Sequence, residues 1–410
     1  MVSFGSVAVI AAVALIAPLV VGLTGLRLPA IVLEILLGIV VGPQVLGWAS
    51  FDRPVEVMSM FGLAFLLLLA GLEIDFDRLR GRLLKTTSLG YVISFALALV
   101  VGFGLKGADL VKSPLLAAVI LSATGLGIIL PILKDAGQTS TPFGQVVVAG
   151  ASIAEVTPIV FLSLFFSGES GGLGSKLVLL IGFFVFVVAI GLSIVGAERS
   201  MRLSSTLLRL QDTTAEIRVR GAFLLLALFV VLASKFGLEA ILGAFLAGAT
   251  LKLVDRDESM THAFFHHKLE AAGFGVFVPF FFVSTGIKLD VSSLFASGSA
   301  LARVPIILAA LLLVRGLPAL VYTTFGTTRQ LVGAGLLQAT SLSIPVVAGQ
   351  IGVDLGLIRP INYVALVAAG LISVIVFPLV ALTLLRESRE VAGGRVARVE
   401  GDHEGRPYTA

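Results

Sequence analysis

Of the 410 residues, 57% are hydrophobic and only 13% charged, about half the charged fraction of a soluble domain, and mean hydropathy is +1.07. This composition excludes an ordinary soluble enzyme. The net charge of +4 is no nucleic-acid signature, and the absence of cysteine removes disulfides, thiolate metal sites and thiol catalysis. The chain reads as an all-α polytopic membrane protein with neither a cofactor nor a structural metal expected.

A helix needs about 20 apolar residues to cross a ~30 Å hydrocarbon core. Charged and Gly/Pro-rich punctuation divides the chain into thirteen candidate spans. The first, 3–23, has no basic n-region or small-residue cleavage site and is expected to be a retained helix. Spans 29–47, 55–72, 86–105, 114–133 and 143–166 follow closely, then 177–196. After an arginine-rich stretch come 219–234, 237–251, 272–287, 304–323, 330–350 and 361–385. Residues 1–385 thus form one transmembrane domain. The polar stretch 386–410 is too short for a second domain and is expected to be a disordered tail. With the N-terminus outside, 20 Lys and Arg residues fall on cytoplasmic segments and 8 on the opposite face, leaving Arg315 inside a span. The positive-inside rule therefore predicts N-out, C-in.

Four segments recur about 205–220 residues apart. Glu34–Gly38 matches Glu239–Gly243, and Phe65–Asp75 (FLLLLAGLEID) matches Phe280–Asp290 (FFFVSTGIKLD). Leu121–Ile128 (LSATGLGI) matches Leu337–Ile344 (LQATSLSI), and Val148–Pro158 matches Ala368–Pro378. The matches pair spans 2, 3, 5 and 6 with 9, 10, 12 and 13. A shift of seven spans reverses direction, so repeats over about 29–166 and 237–385 are predicted to be inverted. Alternating-access transporters are built this way, with their sites near the midplane at broken helices. The third pair falls in mid-span and is rich in small and hydroxyl residues. Helices 5 and 12 are therefore expected to break there, since non-helical backbone at that depth must be buried in protein or line a cavity.

A charge at the bilayer centre is costly and marks function by default. Glu155 lies twelve residues into span 6, about 18 Å along a helix, and its counterpart in the repeat is Ile375. Arg315 lies at a similar depth in span 11. Glu34 and Glu239 are read as helix-end residues able to reach the interface. His262, His266 and His267 are read as part of a solvated loop. The run Gly168–Lys176 fails the residue order of a phosphate-binding loop.

The stretches Leu28–Pro43, Phe65–Asp75, Leu121–Gly137, Gly237–Gly248, His266–Asp290 and Leu336–Val347 together resemble the second branch of the monovalent cation:proton antiporters, the Kef-type or sodium/hydrogen-exchanger-type proteins. The resemblance implies a thirteen-helix, two-domain fold, homodimers, crossed broken helices 5 and 12, and an ion-binding carboxylate on span 6. That carboxylate maps onto Glu155 and the basic residue of span 11 onto Arg315. The family usually has Asp after a polar residue, where this chain has Ala154-Glu155. No nucleotide-binding regulatory domain of the larger Kef-type relatives is expected within these residues.

A lone carboxylate out of water can be neutralised by a proton or by a cation with a few oxygen ligands, here Thr124, Ser152, Gln338, Thr340 and nearby carbonyls. A site that accepts either but not both gives obligate exchange of protons for Na⁺ or K⁺. The expected setting is a bacterial-type plasma membrane. Arg315 is expected to act as an electrostatic partner of Glu155, or else to tie the ends of a broken helix. A gated potassium efflux channel and a sensor with a degenerate transporter core remain the alternatives.

Overall fold

Backbone in a bilayer must satisfy its own hydrogen bonds, which leaves helices or a closed barrel. The computed structural model describes residues 4–24, 29–73, 81–166, 173–198, 216–254, 262–295 and 298–403, and among them there are helices and no strand. Each predicted apolar stretch falls on a helix. Ten helices are long and apolar enough to cross a membrane by length and composition, and Ala30–Val41, Pro114–Leu130 and Ala240–Leu253 are apolar but shorter. Several loop cations used for orientation (Arg27, Arg78, Arg80, Arg199, Arg202, Arg209 and Arg256) lie outside the described residues. So do positions 168–172 of the rejected phosphate-like run.

The chain divides into two compact units. The first comprises residues 1–76, 156–303 and 346–365. It holds α1 (Gly5–Thr24), α2 (Ala30–Val41), α3 (Arg53–Leu72), α8 (Leu173–Glu198), α9 (Ile217–Lys235) and α10 (Ala240–Val254). A further stretch runs as α11 (His262–Ala272), a π-helical turn (Gly273–Phe277) and α12 (Val278–Lys288). Hydrophobicity cannot drive helices together in lipid, so small residues that admit close packing carry the association. A methyl group on Gly71 would strike the Phe245 carbonyl on α10, and one on Gly286 would strike the Ile35 carbonyl on α2. Gly248 and Gly38 answer from the facing helices, against Leu68 and Val283.

Two readings change here. Glu34 is buried between packed helices, and one of its carboxylate oxygens has no hydrogen-bond partner. It therefore does not reach an interface as a helix-end residue would. The histidines lie on α11 rather than in a loop, because Glu270 supplies an i,i+4 partner: His266 Nε2 is 3.1 Å from its carboxylate.

The second unit comprises residues 77–155, 304–345 and 366–410. It contains α4 (Gly81–Gly107), α5 (Pro114–Leu121), α6 (Leu126–Asp135) and α7 (Pro142–Phe166) as far as Glu155. It also holds most of α14 (Gly298–Gly316, which follows the short α13, Ser292–Phe295) and the 3₁₀ segment Leu317–Tyr322. Then come α15 (Thr328–Gln338), the start of α16 (Ser343–Asp354) and α17 (Pro360–His403) from Leu366 onward. Helix α5 starts at Pro114 behind a Ser113 side chain that accepts from the Leu116 amide. Helix α15 starts with a capping box between Thr327 and Gln330. One core joins Ile129, Phe143, Val147, Tyr322, Leu337 and Ala381, and another joins Ala98, Ala118, Leu311 and Val314. Helix α17 continues past Leu385 to His403, where the sequence suggests a disordered tail. The Ala, Arg and Glu residues of that stretch are good helix formers.

A broken-helix centre holding Glu155 and Arg315

The two mid-span interruptions are both present. Helix α5 ends at Leu121 and α6 begins at Leu126; α15 ends at Gln338 and α16 begins at Ser343. The two breaks are joined backbone to backbone, the Gly125 amide donating to the Thr340 carbonyl at 2.9 Å. The Thr124 amide donates to the Ala154 carbonyl of α7 at 3.2 Å. Three chain segments thus meet at one point, and amides freed at the first break are satisfied by the second break and by α7.

Glu155 is 6% exposed, and its Oε2 accepts from the Leu126 amide at 2.6 Å. Leu126 is the first residue of α6, so the carboxylate sits at the positive end of a half-helix. A helix N-terminus favours an anion there through its free amides and its dipole. The next residue back, Ala154, is fully buried. The polar neighbour usual in the resembled family is replaced by a methyl packed inside the protein.

Arg315 is fully buried and lies one residue before the end of α14. Its Nε donates to Thr124 Oγ1 at 2.8 Å, one Nη to Gln338 Oε1 at 2.8 Å and the other to Ser94 Oγ at 3.2 Å. Thr124 in turn donates to the Gln338 carbonyl at 2.6 Å, and Ser94 to the Val314 carbonyl at 2.9 Å. The guanidinium therefore clamps the end of α5's break to the end of α15. Among the described residues it forms no ion pair, with Glu155 or any other carboxylate. The two charges flank the same break from different sides, Arg315 at the Thr124 side chain and Glu155 at the Leu126 amide.

The remaining candidates fall around the same point with different functions. Gln338 is fully buried and donates from Nε2 to Tyr322 Oη at 3.2 Å. It fits against α7 because position 150 is glycine: a methyl there would strike Gln338 Nε2. Ser152 and Thr340 turn their hydroxyls back onto their own helices, to the Val148 carbonyl at 2.9 Å and the Leu336 carbonyl at 3.2 Å. Sequence reasoning missed Ser94, Tyr322, Tyr91 (bonded to Ser122 at 3.1 Å) and Ser373. Each is an uncharged polar residue within an apolar span, which is a weak flag without a spacing to support it.

The chain matches the family described as sodium/hydrogen exchanger, transmembrane, over residues 11–387. It belongs to that family. A putative Na(+)/H(+) antiporter of Bacillus subtilis is 29% identical over 392 residues, which is 92% of this chain and 62% of the relative. This chain thus spans less than two thirds of that relative. A probable Na(+)/H(+) antiporter of Methanocaldococcus jannaschii is 27% identical, covering 86% of this chain and 90% of the relative. The solved structure of the sodium proton antiporter MjNhaP1 from the same archaeon superposes with a TM-score of 0.68 at 19% identity, over 93% of this chain and 98% of that one. The fold is therefore that of an antiporter membrane domain.

Proposed function

We propose that this protein exchanges protons for a monovalent cation, Na⁺ or K⁺, by alternating access across a bacterial-type plasma membrane. The observation that carries the reading is the buried Glu155 carboxylate, held on the first amide of α6 where the two broken helices meet. Family membership and the likeness to Na(+)/H(+) antiporters support it. The carboxylate binds a proton or a dehydrated cation but not both, and that exclusion couples the two fluxes. Thr124, Ser152, Gln338, Thr340 and the carbonyls of the breaks are the candidate oxygens for completing a cation shell. Arg315 holds the breaks in register.

The inverted repeat gains support from the first unit. Span 3 packs on span 9 through Gly71, and span 10 packs on span 2 through Gly286; the repeat exchanges one crossing for the other. The same reading keeps residues 1–385 as the transport domain, the N-terminus outside and the C-terminus cytoplasmic, and the working form a homodimer. A sensor with a degenerate core would have no use for a carboxylate at joined breaks.

The test is proton flux in proteoliposomes on addition of Li⁺, Na⁺, K⁺ or Rb⁺. Wild-type protein should give cation-dependent flux, and Glu155→Gln, which keeps shape but removes the exchangeable charge, should give none while staying folded. Glu155→Asp should keep partial activity. Wild-type flux from Glu155→Gln would sink the proposal.

A further inference from the structure

Buried hydroxyls in the second unit follow a pattern. Ser94 donates to the Val314 carbonyl, Ser122 to Val119, Thr124 to Gln338, Ser152 to Val148, Thr340 to Leu336 and Ser373 to Gly370. Such pairing is the rule, because an unmade hydrogen bond away from water is costly. Ser341 departs from it. It sits inside the second break, 1% exposed, and its Oγ has no partner among the described residues.

That isolation is not the result of a loose segment. The Ser341 amide donates to Ser373 Oγ at 3.2 Å, and the Ser373 hydroxyl also reaches the Ser341 carbonyl at 3.3 Å. Gly370 admits the approach, since a methyl there would lie 3.1 Å from the Ser341 oxygen. A serine on α17 thus holds the main-chain amide of Ser341, its own single proton going mainly to the nearer Gly370 carbonyl, and leaves the Ser341 side chain over. The preceding residue, Thr340, is the one whose carbonyl receives the Gly125 amide, one position from the residue that binds Glu155. A rigid backbone with an uncommitted oxygen suits a group held ready for a ligand.

We propose that the Ser341 hydroxyl is an oxygen ligand of the transported cation at the second helix break and sets cation preference. This rests on the exchange reading above. A hydroxyl offers lone pairs to a cation as it does to a donor, and a dehydrated alkali cation needs several such oxygens, the smaller ions most strongly. Nothing else at that position competes for the lone pairs.

The experiment is cation-dependent proton flux for wild type, Ser341→Ala, Ser341→Thr and Ser373→Ala, with the apparent KM and maximal rate measured for Li⁺, Na⁺, K⁺ and Rb⁺, and thermal stability of each protein in detergent. Ser341→Ala should raise KM about five- to tenfold, as expected for one neutral polar contact, more for Li⁺ and Na⁺ than for Rb⁺, with melting temperature nearly unchanged. Ser341→Thr keeps the oxygen and should stay near wild type. Ser373→Ala frees the backbone and should lower stability as well. Wild-type KM values for all four cations in Ser341→Ala, or a uniform fall in maximal rate with lower stability, would overturn the ligand role while leaving exchange intact. No cation-dependent flux from wild type would overturn the exchange reading and the ligand role together.

Discussion

Among the described residues Arg315 donates to three neutral oxygens and to no carboxylate, which fixes what its removal should do. In Arg315→Ala, Thr124, Ser94 and Gln338 lose buried donors at about 1–3 kcal/mol each if left unsatisfied. Melting temperature in detergent should fall clearly, and flux should drop. The pH–flux profile should be scaled down with its midpoint unmoved, because no ion pair with Glu155 is broken. Arg315→Lys should recover part of the stability, since it keeps the charge and loses the fork. A displaced midpoint in the Ala protein would show a coupling that these contacts do not carry. Gly150→Ala tests the same clamp from the far side. Its methyl would push Gln338 away from α7 and should cost about 1–3 kcal/mol, with reduced maximal flux. The depth of Glu155 and Arg315 is legible in the sequence; the set of partners is not, because Ser94 and Thr124 lie 221 and 191 positions from Arg315 in the chain.

At the scale of helices, glycine has two different uses, and substitutions should separate them. Gly248 packs its α-carbon onto the Leu68 carbonyl of α3, where only backbone can move aside. Gly248→Ala should therefore cost several kcal/mol, on the order of an overpacked core or more, and yield little folded protein by size-exclusion chromatography. Gly125 sits at a helix break, yet a methyl there would meet the flexible end of Ile128 at 3.3 Å and little else. Gly125→Ala should be tolerated, with a melting temperature close to wild type. The breaks themselves are visible in LSATGLGI and LQATSLSI as small and hydroxyl residues in mid-span. The 3₁₀ end of α14 and the π-helical turn before α12 are not, since both depend on how Tyr322 and Phe277 pack: Tyr322 against Leu331 and Leu337 in its core, Phe277 stacked 4.8 Å from Phe65.

For the whole protein, charge counting leads to a stoichiometry. Among the described residues of the unit carrying both breaks, Glu155 is the buried carboxylate. One proton should exchange for one monovalent cation, and the cycle should move no net charge. A membrane potential acts on net charge at about 2.3 kcal/mol per charge per 100 mV, so an imposed diffusion potential alone should drive no protons through the reconstituted protein. Proton movement under that potential would give a different stoichiometry. Orientation can be tested directly because the chain has no cysteine. A single cysteine at Asp109 should be labelled from outside intact cells by an impermeant maleimide, and one at Arg329 should not. The opposite pattern would invert the proposed topology.

The sequence alone determined the class of protein, the position of its apolar stretches, the two broken helices and the two charges at mid-span depth. These are written locally, in runs of twenty apolar residues and in single residues whose cost in lipid singles them out. Tertiary structure decided which groups those charges meet. It placed Arg315 as a clamp on neutral oxygens, buried Glu34 with one carboxylate oxygen unpaired, and left the Ser341 hydroxyl uncommitted while Ser373 holds its amide. Hydrogen bonds between residues far apart in the chain depend on helix crossings set by glycine contacts, and no local pattern specifies which side chains those crossings bring together.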